Sequence, residues 1–158
     1  MTLYEELKMT RPFLSLEEEC ALSILVTRAR FEEALSALLA SHGITRPQFN
    51  ILRILRGSAP TPLSCSTLNE RLIEKNPDIT RLLDRLEDMG YVERARGTED
   101  RRHVFSTITE GGKKLLKVVD QEVLELETSM MSDFSVAEMK SLNALLQKVR
   151  DGIRAMKD

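Results

Sequence analysis

The chain has 158 residues, 42% of them hydrophobic, with a net charge of -2 at pH 7 and an aromatic complement of five Phe, two Tyr and no Trp. That size suits one compact domain or one subunit of an intertwined oligomer, with a core built mainly from Leu, Ile, Val and Met. The near-neutral balance excludes nucleic-acid binding by overall basicity, so any such contact must come from where the cations are placed.

No stretch is long and apolar enough to span a membrane. The opening segment, MTLYEELKMTRPFLSLEEEC, lacks a basic stretch followed by a hydrophobic secretion segment, so a cytoplasmic location is expected. Cys20 and Cys65 form no paired metal motif, and each is read as structural rather than redox-sensing.

In chain order, the first dozen residues are expected to form a short arm ending at Pro12. Ser15 and Glu18 have the spacing of a capping box for a long helix, roughly Leu16 to Ser41, stopping near His42-Gly43. Leu22, Leu25, Val26, Ala29, Leu35, Leu38 and Leu39 carry an apolar band along it. A helix this long in so small a chain suggests a face occupied by another chain, with burial by its own carboxy-terminal helices as the competing explanation. Pro47 suits the first turn of the next helix, whose core candidates are Phe49, Ile51, Leu52, Ile54 and Leu55. Gly57 to Pro62 is a loop; Leu63 is a candidate for a small third strand and Ser64 for the cap that follows.

The stretch from Leu63 to Thr109 organises the rest. A short helical pattern over Ser66–Ile73 precedes a second over Asn76–Met89, with Asn76 as the expected cap, Pro77 in the first turn and Asp78 at the positive end. Ile79, Leu82, Leu83, Leu86 and Met89 form its apolar stripe, while Thr80, Arg81, Asp84 and Arg85 fall largely on the polar side. Gly90 ends it. A strand from Tyr91 and Val92 and a returning one through Val104, Phe105 and Ile108 enclose a tip assigned Arg94, Arg96, Arg101 and Arg102. Two short helices followed by a charged hairpin is a winged helix-turn-helix pattern, usually a nucleic-acid reader. Acidic residues offset the basic ones across this segment, so the order of the residues carries the signal. A charged helix face is more often only solvated.

Beyond the hairpin, Thr109-Glu110-Gly111-Gly112 introduces a long helix whose two glycines are expected to allow close passage against the preceding elements. Leu115, Leu116, Val118, Val119, Val123, Leu124 and Leu126 are its apolar residues; Lys113, Lys114 and Lys117 face water or phosphate. Ser135 and Glu138 match a second capping box for a last amphipathic helix carrying Met139, Leu142, Leu145, Leu146, Val149, Ile153 and Met156.

The run ITRPQFNILRIL, then STLNERL, PDITRLLDRLEDMGYVERA, EDRRHVFSTIT and EGGKKLL, resembles the MarR family of winged helix-turn-helix transcriptional regulators. The match is close over about Ile44 to Leu116. Asn69 departs from it, standing where relatives commonly have a small residue, at a cost to packing or with an added hydrogen bond. The resemblance implies a mainly α fold with a small β wing, assembled as an intertwined helical homodimer. Residues 14–42 and 110–158 would form the dimerisation region and 44–109 the DNA-binding region.

By the same resemblance, the second helix enters the major groove of duplex promoter DNA and the wing reaches the flanking minor groove. Arg81 and Arg85 become base or phosphate contacts, with Thr80 and Asp78 near the DNA-facing end. Arg102 matches the minor-groove arginine, Asp100 braces it, and Arg101 contacts the backbone or serves only wing solubility. The implied function is a sequence-specific, ligand-responsive repressor on a pseudo-palindromic operator, the ligand in many relatives being a small aromatic or phenolic molecule. No cofactor is required. Arg28, Arg30, His42 and Cys65 are candidates for that ligand's region, though each reads more readily as structural or surface.

Two other classes compete: a winged-helix protein-interaction module without specific DNA binding, supported by the near-neutral reading segment, and an enzyme. The sequence offers no metal cluster, nucleotide loop or nucleophile–base pattern, and its two histidines, His42 and His103, are far apart in sequence.

Overall fold

The computed structural model describes residues 2–97 and 104–156. In order the elements are α1 (Leu3–Glu6), α2 (Leu16–Ser41), α3 (Arg46–Ser58), β1 (Leu63–Ser64), α4 (Cys65–Arg71), α5 (Ile79–Asp88), β2 (Val92–Arg96), β3 (Val104–Ile108), α6 (Glu110–Met130) and α7 (Val136–Ala155). The fold is mainly α with one antiparallel sheet in the order β1-β3-β2. Contacts divide the chain into two compact units, Met1–Asp120 and Gln121–Asp158. Among the described residues, no helix is long and apolar enough to cross a membrane.

In the first unit, α2 has the bounds that its apolar band predicts, but only half of the expected capping box forms. Ser15 Oγ accepts from Glu18 N–H at 3.2 Å, while the Glu18 carboxylate accepts from Leu14 N–H at 2.6 Å instead of reaching Ser15. At the start of α3 the buried Gln48 satisfies its carbonyl oxygen by accepting from Thr45 N–H at 2.9 Å. From there α3 buries Phe49, Ile51, Leu52 and Leu55; Ile54 is only half-buried. An ion pair from Arg56 to Asp120 fastens α3 to the first half of α6.

The paired helices are shorter than their sequence patterns. Ser64 caps α4 by accepting from Thr67 N–H at 3.2 Å, but the helix ends at Arg71 because Leu72 turns extended, at φ -67° and ψ 141°, and buries its side chain. The second helix starts at Ile79 rather than Asn76. Asn76 does use its side chain as a local acceptor, but from Asp78 N–H, at 2.8 Å. That bond folds Pro77-Asp78 into a turn and delays the helix. Asn69 anchors the same turn, its Oδ1 accepting from Asn76 N–H at 2.8 Å. The hydrogen-bonding alternative for this residue is therefore the one realised.

In the hairpin, Val92 pairs with Ile108, Arg94 with Ser106 and Arg96 with Val104, while Leu63 pairs with Ser106 from the other side. Strand alternation makes Val104, Ser106 and Ile108 share one face. Ser106 and Ile108 are buried, so the inward position falls to a serine and Phe105 lies on the opposite face.

The end of α5, both strand bases and the start of α6 meet at one joint. Gly90 has φ +74°, which a residue with a side chain rarely adopts. Its N–H donates to Glu87 O at 2.8 Å and Tyr91 N–H donates to Leu86 O at 2.9 Å, the paired bonds of a Schellman ending. Thr109 Oγ1 donates to Gly90 O at 2.7 Å and accepts from Gly112 N–H at 3.1 Å. A methyl group at Gly112 would lie 2.5 Å from Tyr91 O and 2.8 Å from Ile108 Cγ1. The close passage expected from the two glycines is thus present, and Gly112 is the one it most needs.

In the second unit, Ser135 N–H donates to Glu138 Oε2 at 2.8 Å and Glu138 N–H donates to Ser135 Oγ at 3.3 Å, completing the capping box at α7. The hydrogen bonds from the Ser135 side chain, and then its backbone, hold the Glu138 carboxyl below its ordinary range. No residue of α7 is buried, and Leu145, Val149, Ile153 and Met156 are exposed.

Candidate nucleic-acid interface

Helix α5 divides its residues cleanly. Ile79, Leu83 and Leu86 are buried, Leu82 is half-buried, and Met89 just past the helix is exposed. Thr80, Arg81, Asp84 and Arg85 are all exposed. At spacings of one, three and four they form a single strip on the helix. Asp78 stands exposed at the amino-terminal end of the strip as the N-cap residue, without a capping hydrogen bond from its side chain. Neither Arg81 nor Arg85 is ion-paired to a described residue, which leaves two guanidinium groups presented together. Such groups can fork onto a guanine edge or clamp phosphate oxygens.

Arg94 does not belong with the tip. It lies on β2, and its Nη2 is 2.6 Å from Asp84 Oδ1 and 2.6 Å from Glu87 Oε2. Its Nε donates to Glu87 Oε2 at 2.8 Å, and its backbone N–H donates to Glu87 Oε1 at 3.2 Å. Burial works against the charge of Arg94, but the hydrogen bonds to Glu87 and Asp84 outweigh it, so the guanidinium holds its proton more tightly than usual. Sequence proximity hid this contact. The available signal was strand parity: Arg94 shares a face with buried Val92.

Asp100, Arg101 and Arg102 lie outside the described residues. Lys113 pairs with Glu110 at 2.7 Å, and that hydrogen bond pulls the Glu110 carboxyl below its ordinary range.

The four candidates for the ligand's region, Arg28, Arg30, His42 and Cys65, serve separate local structures. Arg28 joins a ring of charges: it pairs with Glu32 at 2.9 Å and with Glu74, while Arg46 pairs with Glu32 and Glu74 at 2.8 Å each. The Glu32 hydrogen bond, then the charges of Glu32 and Glu74, raise the Arg28 pKa. Arg30 turns instead to Glu6 and Glu33, at 2.9 and 3.4 Å. His42 ends α2. Cys65 opens α4 half-buried, and Cys20 is exposed; both thiols are free. A cleft of about 420 Å³ is lined by Leu55, Pro60, Thr61, Thr107, Ile108 and Lys113, and by none of these four residues.

Comparison with known proteins gives this geometry its context. The model of the MarR family matches residues 44–104, which contain α3, α4, α5 and β2. The HTH-type transcriptional regulator PecS of Dickeya dadantii is 33% identical over 139 residues, covering 87% of this chain and 81% of that protein. This chain belongs to the MarR family. Membership makes it a winged helix-turn-helix transcriptional regulator, a DNA-binding class, rather than an enzyme. Another similar protein, the homoprotocatechuate degradative operon repressor of Escherichia coli, is 28% identical, with 81% of this chain and 86% of that one covered. Among solved structures, a mutant MarR from E. coli complexed with operator DNA is 27% identical with a TM-score of 0.72, covering 94% of this chain and 99% of that one.

Proposed function

We propose that this MarR-family chain is a sequence-specific repressor that binds a pseudo-palindromic operator as a homodimer. The exposed strip of Thr80, Arg81 and Arg85, backed by the buried Ile79, Leu83 and Leu86, carries the reading. The similar MarR solved with operator DNA supports duplex DNA as the partner, and the operon repressor supports repression as the sign of control. In this reading α5 lies in the major groove. Arg81 and Arg85 contact base edges or phosphates there, with Thr80 and Asp78 at the DNA-facing end. Arg102 enters the flanking minor groove, Asp100 orients it through a charge-assisted hydrogen bond, and Arg101 meets the backbone.

Residues 14–42 and 110–158 form the dimer base. The apolar residues left exposed on α7, with Leu14 just before α2 and Leu16 and Leu25 in its first half, support it. A two-fold dimer presents the same strip twice, which is why the operator is palindromic. A small aromatic or phenolic effector would act by favouring a head spacing that does not fit DNA, a population shift set by its differential affinity.

Selection of duplexes from a random library at near-physiological salt tests the reading. A reproducible palindrome is expected. Arg102→Ala should then weaken binding by roughly 1–3 kcal/mol, the range of one specific arginine contact, with the dimer intact. A folded dimer that selects no sequence would leave a protein-interaction module as the better account.

A further inference from the structure

Two carboxylates of the reading helix stand where they would oppose a phosphate backbone. Asp84 lies within the strip, one residue from Arg85 and three from Arg81, and Glu87 follows it by one turn. Left bare, they would cancel much of what two arginines contribute. Both are met by a single cation from the wing strand. The Arg94 guanidinium bridges Asp84 and Glu87 at 2.6 Å each, and its side chain is 19% exposed against 51% for Asp84. Glu87 also accepts the Arg94 backbone N–H at 3.2 Å, so one helix carboxylate binds both the side chain and the main chain of β2.

We propose that Arg94 is a positioning residue for DNA reading. It neutralises the acidic side of α5 and fixes the helix to the wing strand, so that the groove-reading strip and the wing keep one relative placement. The inference rests on the DNA-reading role proposed above. It assigns Asp84 to the clamp, and removes it from direct base reading although it lies in the strip.

Arg94 Nη2 reaches both carboxylates while Nε adds a second bond to Glu87 Oε2, and a lysine ammonium in its place would keep the charge but not this fixed pair of donors. Repulsion of phosphate by unpaired carboxylates is screened by salt, whereas a lost shape contact is not.

The test is a cycle of Arg94→Ala, Asp84→Asn and the double variant, read as affinity for the selected duplex across a salt series. Arg94→Ala is expected to bind about ten- to a hundredfold more weakly at low salt, with the gap narrowing as salt rises. Adding Asp84→Asn should restore about tenfold of that affinity without raising the melting temperature of the Arg94→Ala protein. Arg94→Lys should fall between the wild type and Arg94→Ala. Asp84→Asn alone should select the same operator sequence as the wild type.

Equal binding by Arg94→Ala and wild type at matched low salt would overturn the proposal. So would a double variant no tighter than Arg94→Ala, or a changed operator base in Asp84→Asn. If Arg94→Ala does not fold, Arg94→Lys replaces it in the same cycle with the same expectations of sign. Failure of the wild type itself to bind any duplex would sink the DNA-reading role, and this inference with it. A wild type that binds while the cycle shows no coupling would sink only the inference.

Discussion

Leu83 in α5 and Leu145 in α7 occupy similar places in similar patterns, each within an apolar stripe on an amphipathic helix. Leu83 is 0% exposed and Leu145 is 58% exposed. Within the first unit the head completes its own burial: α3, α4, α5 and the sheet place Phe49, Leu52, Leu68, Leu83, Leu86 and Val92 out of solvent within one chain. In the second unit, by contrast, α7 buries no residue at all. Periodicity announces that a face will be covered but does not say by what. In this chain the head is self-sufficient, whereas in the homodimer proposed above the last helix would find its cover on a second copy.

The largest effect should follow from breaking that need. Leu145→Glu combined with Ile153→Glu puts two charges on the exposed apolar face of α7. In the proposed homodimer this is expected to weaken self-association by at least about a hundredfold, the scale of losing a few kcal/mol at an interface centre. Sedimentation across a concentration series would read it. A double variant with unchanged association would remove this face from the dimer base. Because an obligate dimer often has no stable folded monomer, the melting temperature should depend on concentration in the wild type and be lower for the variant at any matched concentration.

Leu83→Ala is the matching cut in the head and should behave differently. Removing a fully buried leucine side chain costs about 2–5 kcal/mol, read as a lowered denaturant midpoint. Subunit stoichiometry should stay unchanged, since the lost contacts lie within one chain. A Leu83→Ala protein that dissociated without losing head stability would reverse the contrast.

Gly112→Ala probes the joint between wing and α6. The added methyl would meet the Tyr91 carbonyl oxygen and Ile108 closer than real contacts allow, and backbone cannot give way as a flexible side chain does. A loss of about 1–3 kcal/mol is expected, as for other overpacked sites. Gly111→Ala meets Gly90 O at 3.2 Å, so it should cost less. Equal melting temperatures for the two variants would show that the close approach at Gly112 has no energetic weight.

These variants also mark what is legible in the sequence alone. The long helix α2, the strand at Leu63, the caps at Ser64 and Ser135 and the crowding at Gly112 follow from local chemistry, and all are found. Asn76 and Pro77 misled because an asparagine before a proline reads equally as a helix cap or as a turn, and Asp78 N–H took its side chain into the turn. Arg94 misled because nearness to the tip in sequence says nothing about strand parity. For Arg81 and Arg85 the sequence supplied candidates and the fold one exposed strip, whereas the groove contacts proposed for them and for Arg102 would be made only in a complex with DNA.

Ser106 tests the head's self-sufficiency at the one weak point of polar accounting among the described residues. It lies on β3, paired with Arg94 on one side and Leu63 on the other, and is 0% exposed. Its Oγ is buried and finds no hydrogen-bond partner among the described residues. A buried hydroxyl without a partner costs about 1–3 kcal/mol of desolvation. Alanine gives back part of this through its weaker strand preference, on a scale that spans about 1 kcal/mol. Ser106→Ala should therefore leave stability unchanged or raise it by about 1 kcal/mol, the smallest effect of the four. Denaturant unfolding would read it. A loss of more than about 1 kcal/mol would mean that the hydroxyl is bonded in solution, and that the head closes its polar contacts as fully as it closes its apolar core.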